Sequence, residues 1–438
     1  ASEVSKASEV SKASEVSKEG NRALRPRSWL KGVRCWLRAE PTRWLTLAVG
    51  FFLGVTLLST AFSASLGMSL WGDVPGQDSY STYTTVAYVL LFAVIATHLK
   101  TSSQMWRLMG AMVAMGVLVA GYAILQHFGH DFLNLMEPPS GRRSSVTMSN
   151  PILAASVMLM TIMVSLSAAS ATLQRATKTP EFWWKLALWA LVLAVQLLGM
   201  FYTFSRGPWF GTLLAVGVFL GMVGLFVGWR TLARAAMVLA VAVVLALLIN
   251  SILSAVQSES KALATGSTTR LAEERFTSIG RQGFAGGLGN RLEVWKGSWR
   301  LMTRHPWFEF DSLSVSPLRP LLGYGPELFR STFLLVSPPT GDGLRPFEMA
   351  HAHNYFVHQG VEQGFLGVLA SLSIFAALYI VAAFQLLRRG SNLSAVHKLV
   401  LLALLATLAG RLLEQMVGIA RVSDLTLSWV LLGIFAAM

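Results

Sequence analysis

Charge is scarce in this sequence. Its 36 Lys and Arg and 22 Asp and Glu make up only 13% of 438 residues, whereas 53% are hydrophobic. A soluble domain carries about 25% charged residues, so the composition excludes an ordinary soluble fold and calls for a bilayer. Cysteine is nearly missing too. With Cys35 alone an intramolecular disulfide is excluded, and segments outside the membrane must hold their shape by packing. No dense cluster of Asp and Glu of the kind that Mg²⁺ or Mn²⁺ prefers is visible outside the apolar runs, so neither a metal nor another cofactor is expected. The net charge of +14 does not by itself imply nucleic acid, because in a polytopic chain it must be resolved loop by loop.

What is abundant is long apolar sequence. Runs near 44–68, 84–99, 106–127, 150–172, 183–204, 207–229, 235–254, 354–385, 396–418 and 423–438 approach or exceed the length that crosses roughly 30 Å of hydrocarbon. The expected fold is an all-α polytopic membrane protein with about 10–12 transmembrane helices. The first run is too long and lies too deep in the chain for a cleaved signal peptide. Arg22, Arg25, Arg27, Lys31, Arg34, Arg38 and Arg43 precede it. Lys100 and Arg107, Arg175 and Lys178, Arg230 and Arg234, and Arg388, Arg389 and Lys398 fall in alternate short loops, which places both termini in the cytoplasm.

Five segments follow. Residues 1–21 hold ASEVSK three times, a polar repeat unable to offset its ordering entropy. Residues 22–43 place Trp29, Val33 and Trp36 on one helical face against Arg27, Lys31, Arg34 and Arg38, as an interfacial helix on anionic headgroups does. Transmembrane helices occupy 44–256, a large outer loop 257–350, and C-terminal transmembrane helices 351–438. The outer loop holds eleven Lys or Arg, among them Arg275, Arg281 and Arg291. Long loops are exempt from the charge rule that orients short ones, so an anionic substrate is the economical explanation.

Three stretches can carry chemistry. HAHNYFVHQGVEQGFLG at 351–367 crowds His351, His353, His358 and Glu362 into the start of an apolar run. On a helix, His353, Val357, Gly360, Gly364 and Gly367 form one stripe, and Asn354, His358 and Glu362 another. The glycines allow close helix contact, while His353 and Asn354 lie at the outer end, where a neutral imidazole can accept a proton. The base is His353 or its neighbour His351; a merely solvated helix cap is the bland alternative. A zinc site from these histidines lacks a Cys or carboxylate to complete it. In FYTFSRGPWF at 201–210, Gly207-Pro208 is expected to form a tight turn presenting Arg206, whose planar fork suits a diphosphate. Arg142 and Arg143, in a second outer loop, keep it company. In NRLEVWKGSWRLM, Arg291, Trp295, Trp299 and Met302 share a helical face, and the tryptophans are expected to pack the loop on the membrane domain. Gly323 and Gly325 in LLGYGPELF can let backbone approach a ligand.

In order, Ser205-Arg206-Gly207, Arg291-Leu292 with Trp295, Gly323-Tyr324-Gly325 with Phe329, Ala352-His353-Asn354, and Glu362-Gln363-Gly364 with Gly367 form a set that resembles the O-antigen ligase and polymerase superfamily. The resemblance covers about residues 200–367 and, more loosely, Asn150-Pro151. It implies a GT-C-type glycosyltransferase of the bacterial inner membrane that works on its periplasmic face. The donor would be undecaprenyl-diphosphate-linked O-antigen. Within the superfamily the chain looks most like the ligases, whose acceptor is lipid A–core. A polymerase or a protein O-oligosaccharyltransferase is the alternative. His353 as base with Arg206 and Arg291 would be catalytic; Arg142, Arg143, Arg275, Tyr324, His351 and Asn354 would bind substrate. Catalysis would be inverting and metal-independent, with membrane lipids as further partners and no nucleic acid. A transporter for a lipid-linked anion would instead show mid-span charges and repeated halves with broken helices, and no such repeat is visible.

Overall fold

A computed structural model of the chain describes residues 40–73, 78–133, 143–176, 179–260, 289–306, 316–337, 349–388 and 393–438. The ASEVSK repeat, the basic segment with Cys35, Arg142, Arg275 and Arg281 lie outside them. Within the described residues the helices are α1 Arg43–Ala61, α2 Leu66–Trp71, α3 Thr82–His98, α4 Ser102–His127, α5 Pro151–Arg175, α6 Thr179–Tyr202 and α7 Arg206–Phe226. They continue with α8 Trp229–Ser260, α9 Gly289–Arg304, α10 Arg319–Leu322, α11 Phe329–Phe333, α12 Tyr355–Arg388, α13 Ala395–Gln415 and α14 Val422–Ala437. Eight are long and apolar enough to cross a membrane, and α3 and α14 are shorter apolar helices. These ten coincide with the ten apolar runs, and the chain is an all-α, multi-pass membrane protein.

The local sequence explains where helices begin. Thr101 accepts from the Gln104 backbone N–H while the Gln104 side chain returns to the Thr101 N–H, a reciprocal cap that opens α4. Asn150 accepts from the Ile152 N–H at 2.9 Å and Pro151 occupies the first helical position, so α5 starts without unsatisfied donors. The first apolar run ends sooner than its composition suggests. Helix α1 stops at Ala61, and after a Ser63-Ala64-Ser65 corner the short α2 takes over, with Ser63 and Ser69 hydroxyls bonded at 2.6 Å.

Helix α5 is the hub of the bundle. Some 94% of its membrane window is buried, against 11% for α8, which sits at the rim. A helix surrounded on all sides must be apolar all round, and α5 interleaves Ala, Leu and Met with small hydroxyls. Ser156 donates to Ile152 O at 2.8 Å and Ser170 to Leu166 O at 2.7 Å within the helix, and Ser167 donates across to Leu399 O of α13 at 3.3 Å. Helices α7 and α13 cross where Gly211 meets Gly410. A Cβ on Gly410 would lie 2.3 Å from Gly211 O, and one on Gly211 would lie 2.7 Å from Gly410 O. Such small-residue crossings substitute for the hydrophobic drive that lipid removes. Gly410→Leu is therefore expected to destabilise the detergent-solubilised protein by about 1–3 kcal/mol through overpacking. Gly217→Leu, with nothing within 4 Å of its Cβ, is the control; equal melting temperatures for the two variants would refute the close crossing.

Helix α12 has 34 residues, about 51 Å at 1.5 Å per residue and well beyond the bilayer core. It is broken rather than tilted through. Gly364 has φ 65° and ψ −165°, so the expected continuous stripe from His353 to Gly367 is interrupted, and the segment before Gly364 forms a separate piece. The break is seated in the turn after α10. Tyr324 N–H donates to Val361 O at 3.1 Å and Gly325 N–H to Glu362 O at 2.8 Å. A Cβ on Gly323 would meet the Glu362 carbonyl at 2.4 Å, and one on Gly364 would meet the Leu321 carbonyl at 2.4 Å. These glycines thus let backbone approach backbone, not a ligand. The ends of the helices divide by charge: Lys100, Arg107, Arg175, Arg230, Arg234, Arg388 and Lys398 lie at the end opposite His353. There Arg234 donates to Leu173 O at 2.8 Å, closing the C-terminus of α5.

Candidate functional site

The site is built around the four residues before α12. Asn354 Oδ1 accepts from Phe356 N–H at 3.0 Å and Val357 N–H at 3.1 Å, capping the helix. The histidines preceding it are therefore outside the helix. His353 has φ 51°, a left-handed conformation that non-glycine residues seldom adopt. Val146, Ser149, Phe204, His305 and Glu327 share it, and all six lie in connections at this one end of the bundle. Backbone strain of this kind collects at functional sites, where surrounding structure holds it.

Ala352, between the two leading histidines, is held by both backbone groups. Its carbonyl accepts from Trp295 Nε1 of α9 at 2.9 Å, and its N–H donates to His358 Nδ1 at 3.5 Å. His358 is thereby fixed with Nδ1 as acceptor and Nε2 3.1 Å from Glu362 Oε1. Its ring is enclosed by Tyr80 at 4.3 Å and Phe329 at 4.7 Å between centroids. Glu362 Oε1 also accepts from Phe329 N–H at 3.2 Å. His358 and Glu362 are thus a buried support for the loop that presents His351 and His353. Both ring nitrogens of His351, and Nδ1 of His353, are buried without a hydrogen-bond partner. Burial, with the Arg291 charge next in weight, pushes His353 down to about 4. Burial and the charges of His358 and Arg421 push His351 down to about 2. Both imidazoles are therefore neutral at physiological pH and able to accept a proton.

The arginines approach from two elements. Arg206 opens α7, and the turn before it falls at Thr203–Ser205, with Phe204 left-handed. Gly207-Pro208 lies inside the first helical turn instead of forming the tight turn itself, because Pro fits where its missing N–H is not needed. Arg143 braces that turn: Nε donates to Thr203 O at 3.1 Å and Nη2 to Ser205 Oγ at 3.2 Å. Arg291 lies in the first turn of α9, where burial lowers its pKa and the Glu414 carboxylate opposes that change. Tyr324 is buried, its hydroxyl donating to Pro306 O at 2.9 Å, so it packs beneath the site. Trp299 remains exposed and meets Phe365 edge-on at 6.4 Å, whereas Trp295 anchors the loop as expected.

Sequence reasoning missed the floor. Arg411 of α13 pairs with Glu414 and with Asp424 of α14, all three completely buried. Asp424 also accepts from Arg421 N–H at 2.8 Å. A Cβ on Gly207 would lie 3.9 Å from Glu414 Cγ, so this ion group underlies the start of α7. Charges near a membrane span are expensive and point to function by default; R-L-L-E before the final loop was the available signal. Tyr80, between α2 and α3, was also missed. Its N–H donates to Glu327 Oε2 at 2.8 Å and its hydroxyl to Ala420 O at 2.9 Å. Burial and the charge of Glu362 raise the Glu327 pKa. Among the described residues no three His, Cys, Asp or Glu side chains converge as metal ligands.

A family model described as O-antigen ligase matches residues 189–308, so this part of the chain is similar to that family. Arg206 and Arg291 fall inside the matched region; His351 and His353 fall beyond it. No curated protein matches the chain.

Proposed function

From the match to the O-antigen ligase family, we propose that this chain transfers O-antigen glycan from undecaprenyl diphosphate to lipid A–core at the periplasmic face of the bacterial inner membrane. The observation that supports it most is the placement of a neutral, locally strained His353 within electrostatic reach of Arg291, on a loop whose intervening residue is held from both sides. His353 takes the proton of an acceptor hydroxyl, and that oxygen attacks the anomeric carbon of the donor sugar. The bond from anomeric carbon to phosphate oxygen breaks, its electrons go to the departing diphosphate, and Arg206 and Arg291 stabilise the charge. Attack opposite the leaving group inverts the anomeric configuration. The positive-inside rule supports the sidedness, since the basic connections lie at the other end of the bundle.

The break in α12 and the buried charges of α13 and α14 favour a second reading, movement of a lipid-linked anion across the bilayer. Those charges lie near helix ends beside the histidines, which supports chemistry over passage. Purified protein given lipid-linked donor and lipid A–core in excess EDTA is expected to form the joined product as fast as without chelator. Loss of product restored by one divalent ion would overturn the metal-independent mechanism. Absence of product with any added ion, together with passage of labelled donor across vesicles, would select the transport reading.

A further inference from the structure

Arg421, which the proposed transfer mechanism does not use, stands at the end of the last outer connection, immediately before α14. Two acids of the adjoining helices lie close by, yet both are taken: Glu414 and Asp424 pair with Arg411, and Asp424 also accepts the Arg421 backbone N–H. Among the described residues the half-buried Arg421 guanidinium forms no ion pair. Its neighbour Ala420 is fastened through its carbonyl to the Tyr80 hydroxyl, and the Tyr80 ring lies 4.3 Å from His358 and 6.3 Å from His351. A cation is thus held beside the histidine loop by a connection that is fixed at both of its last two residues.

The two cations next to this loop address different histidines. The Arg291 charge acts on His353, and the Arg421 charge acts on His351 and on Glu327. Arg291, one turn ahead of the Trp295 that holds Ala352, reaches the loop from α9, whereas Arg421 reaches it through Ala420 and Tyr80, beside His351 and His358. An inverting displacement likewise keeps the leaving group and the attacking hydroxyl apart, on opposite faces of the reacting carbon. With the diphosphate at Arg206 and Arg291, the Arg421 side is left for the acceptor.

Resting on the proposed transfer reading, we infer that Arg421 binds an anionic group of the acceptor glycan, a phosphate monoester or a sugar carboxylate, and so sets the acceptor's register against the histidine loop. A guanidinium fork gives two parallel hydrogen bonds to either anion. The substitution is clean, since the N–H that caps Asp424 belongs to the backbone and survives any side-chain change.

The test is steady-state transfer by the full chain carrying Arg421→Gln or Arg421→Lys, varying donor and lipid A–core separately. Arg421→Gln is expected to raise the acceptor KM about ten- to a hundredfold with donor KM and kcat unchanged, and Arg421→Lys to recover part of the loss. Acceptor stripped of phosphate with aqueous hydrofluoric acid separates the two anions. If the group is a phosphate, stripping raises the wild-type KM to that of Arg421→Gln and leaves the variant unaffected; if it is a carboxylate, stripping leaves the difference between the two intact. A raised donor KM would assign Arg421 to the diphosphate and overturn the inference, as would unchanged kinetics in both variants. Wild-type protein that makes no product at all would instead sink the transfer reading.

Discussion

His353→Ala is expected to lower kcat by about 10²–10⁴-fold, the usual contribution of a positioned general base, while donor binding and the melting temperature stay near wild type. The side chain is not one of the loop's supports: Trp295, His358 and the Asn354 cap hold the loop without it. Full turnover in this variant, with His351→Ala inactive, would move the base two residues back. The pH profile is a second readout. With His353 pushed down to about 4, activity should stay flat from neutral pH to about 5 and fall as the pH drops through 4, instead of near the ordinary histidine value of about 6.5. The sign for stability agrees. The unfolded chain binds this proton below about 6.5 and the folded one only below about 4, so His353 contributes a loss of stability as pH falls through that window. An acid limb centred near 6.5 would refute a desolvated base.

Arg206→Lys and Arg291→Lys are each expected to reduce kcat/KM by about ten- to more than a hundredfold, from the roughly 1.5–3 kcal/mol that a charged hydrogen bond contributes. Lys retains the charge but not the planar, two-pronged donor. The loss should therefore be larger than any change in nonspecific membrane association, and it should appear in donor binding measured with undecaprenyl diphosphate. Arg143→Lys should act differently. Its nitrogens hold Thr203 and Ser205 in the turn ahead of Arg206, so its loss should be smaller and should not add to that of Arg206. If both Lys variants bind donor and transfer like wild type, the two arginines are interfacial anchors and the diphosphate is held elsewhere.

The positions of the ten apolar helices were readable because hydrocarbon imposes length and composition directly on sequence; α4, α5 and α6 begin and end within four residues of the runs that foretold them. The ends of irregular elements were less readable. The Gly364 break depends on the turn at Gly323, and nothing local to 355–367 announces a partner 41 residues earlier. In the site, His353, Arg206 and Arg291 stood out by type and order. Tyr80 and the Arg411 group did not: Tyr80 works through backbone and ring contacts that any tyrosine can make, and Arg411 gains meaning only when Asp424 is folded against it. Asn354, expected to bind substrate, also has a structural task that its type alone did not reveal, its Oδ1 capping α12.

The seat of the α12 break also fixes an order of events during synthesis. Ser59 of α1 donates to Leu322 O at 2.7 Å and to Glu362 O at 3.1 Å, partners 263 and 303 residues downstream. Helix α1 must therefore wait for residues 322 and 362 before these bonds can close. Its other hydroxyls need no such partner, since they bond within their own helix: Thr56 donates to Phe52 O at 2.9 Å and Thr60 to Thr56 O at 2.7 Å. Until α12 is inserted, the turn that carries Tyr324 can rest only on α1 and the corner after it, through Ala64 N–H to Tyr324 O at 2.9 Å and Ser59 to Leu322 O at 2.7 Å, and lacks its bonds to Val361 and Glu362. The turn thus completes its seat last, and ribosomes stalled before residue 355 should display it more open to protease than in the finished chain, on an already inserted set of helices.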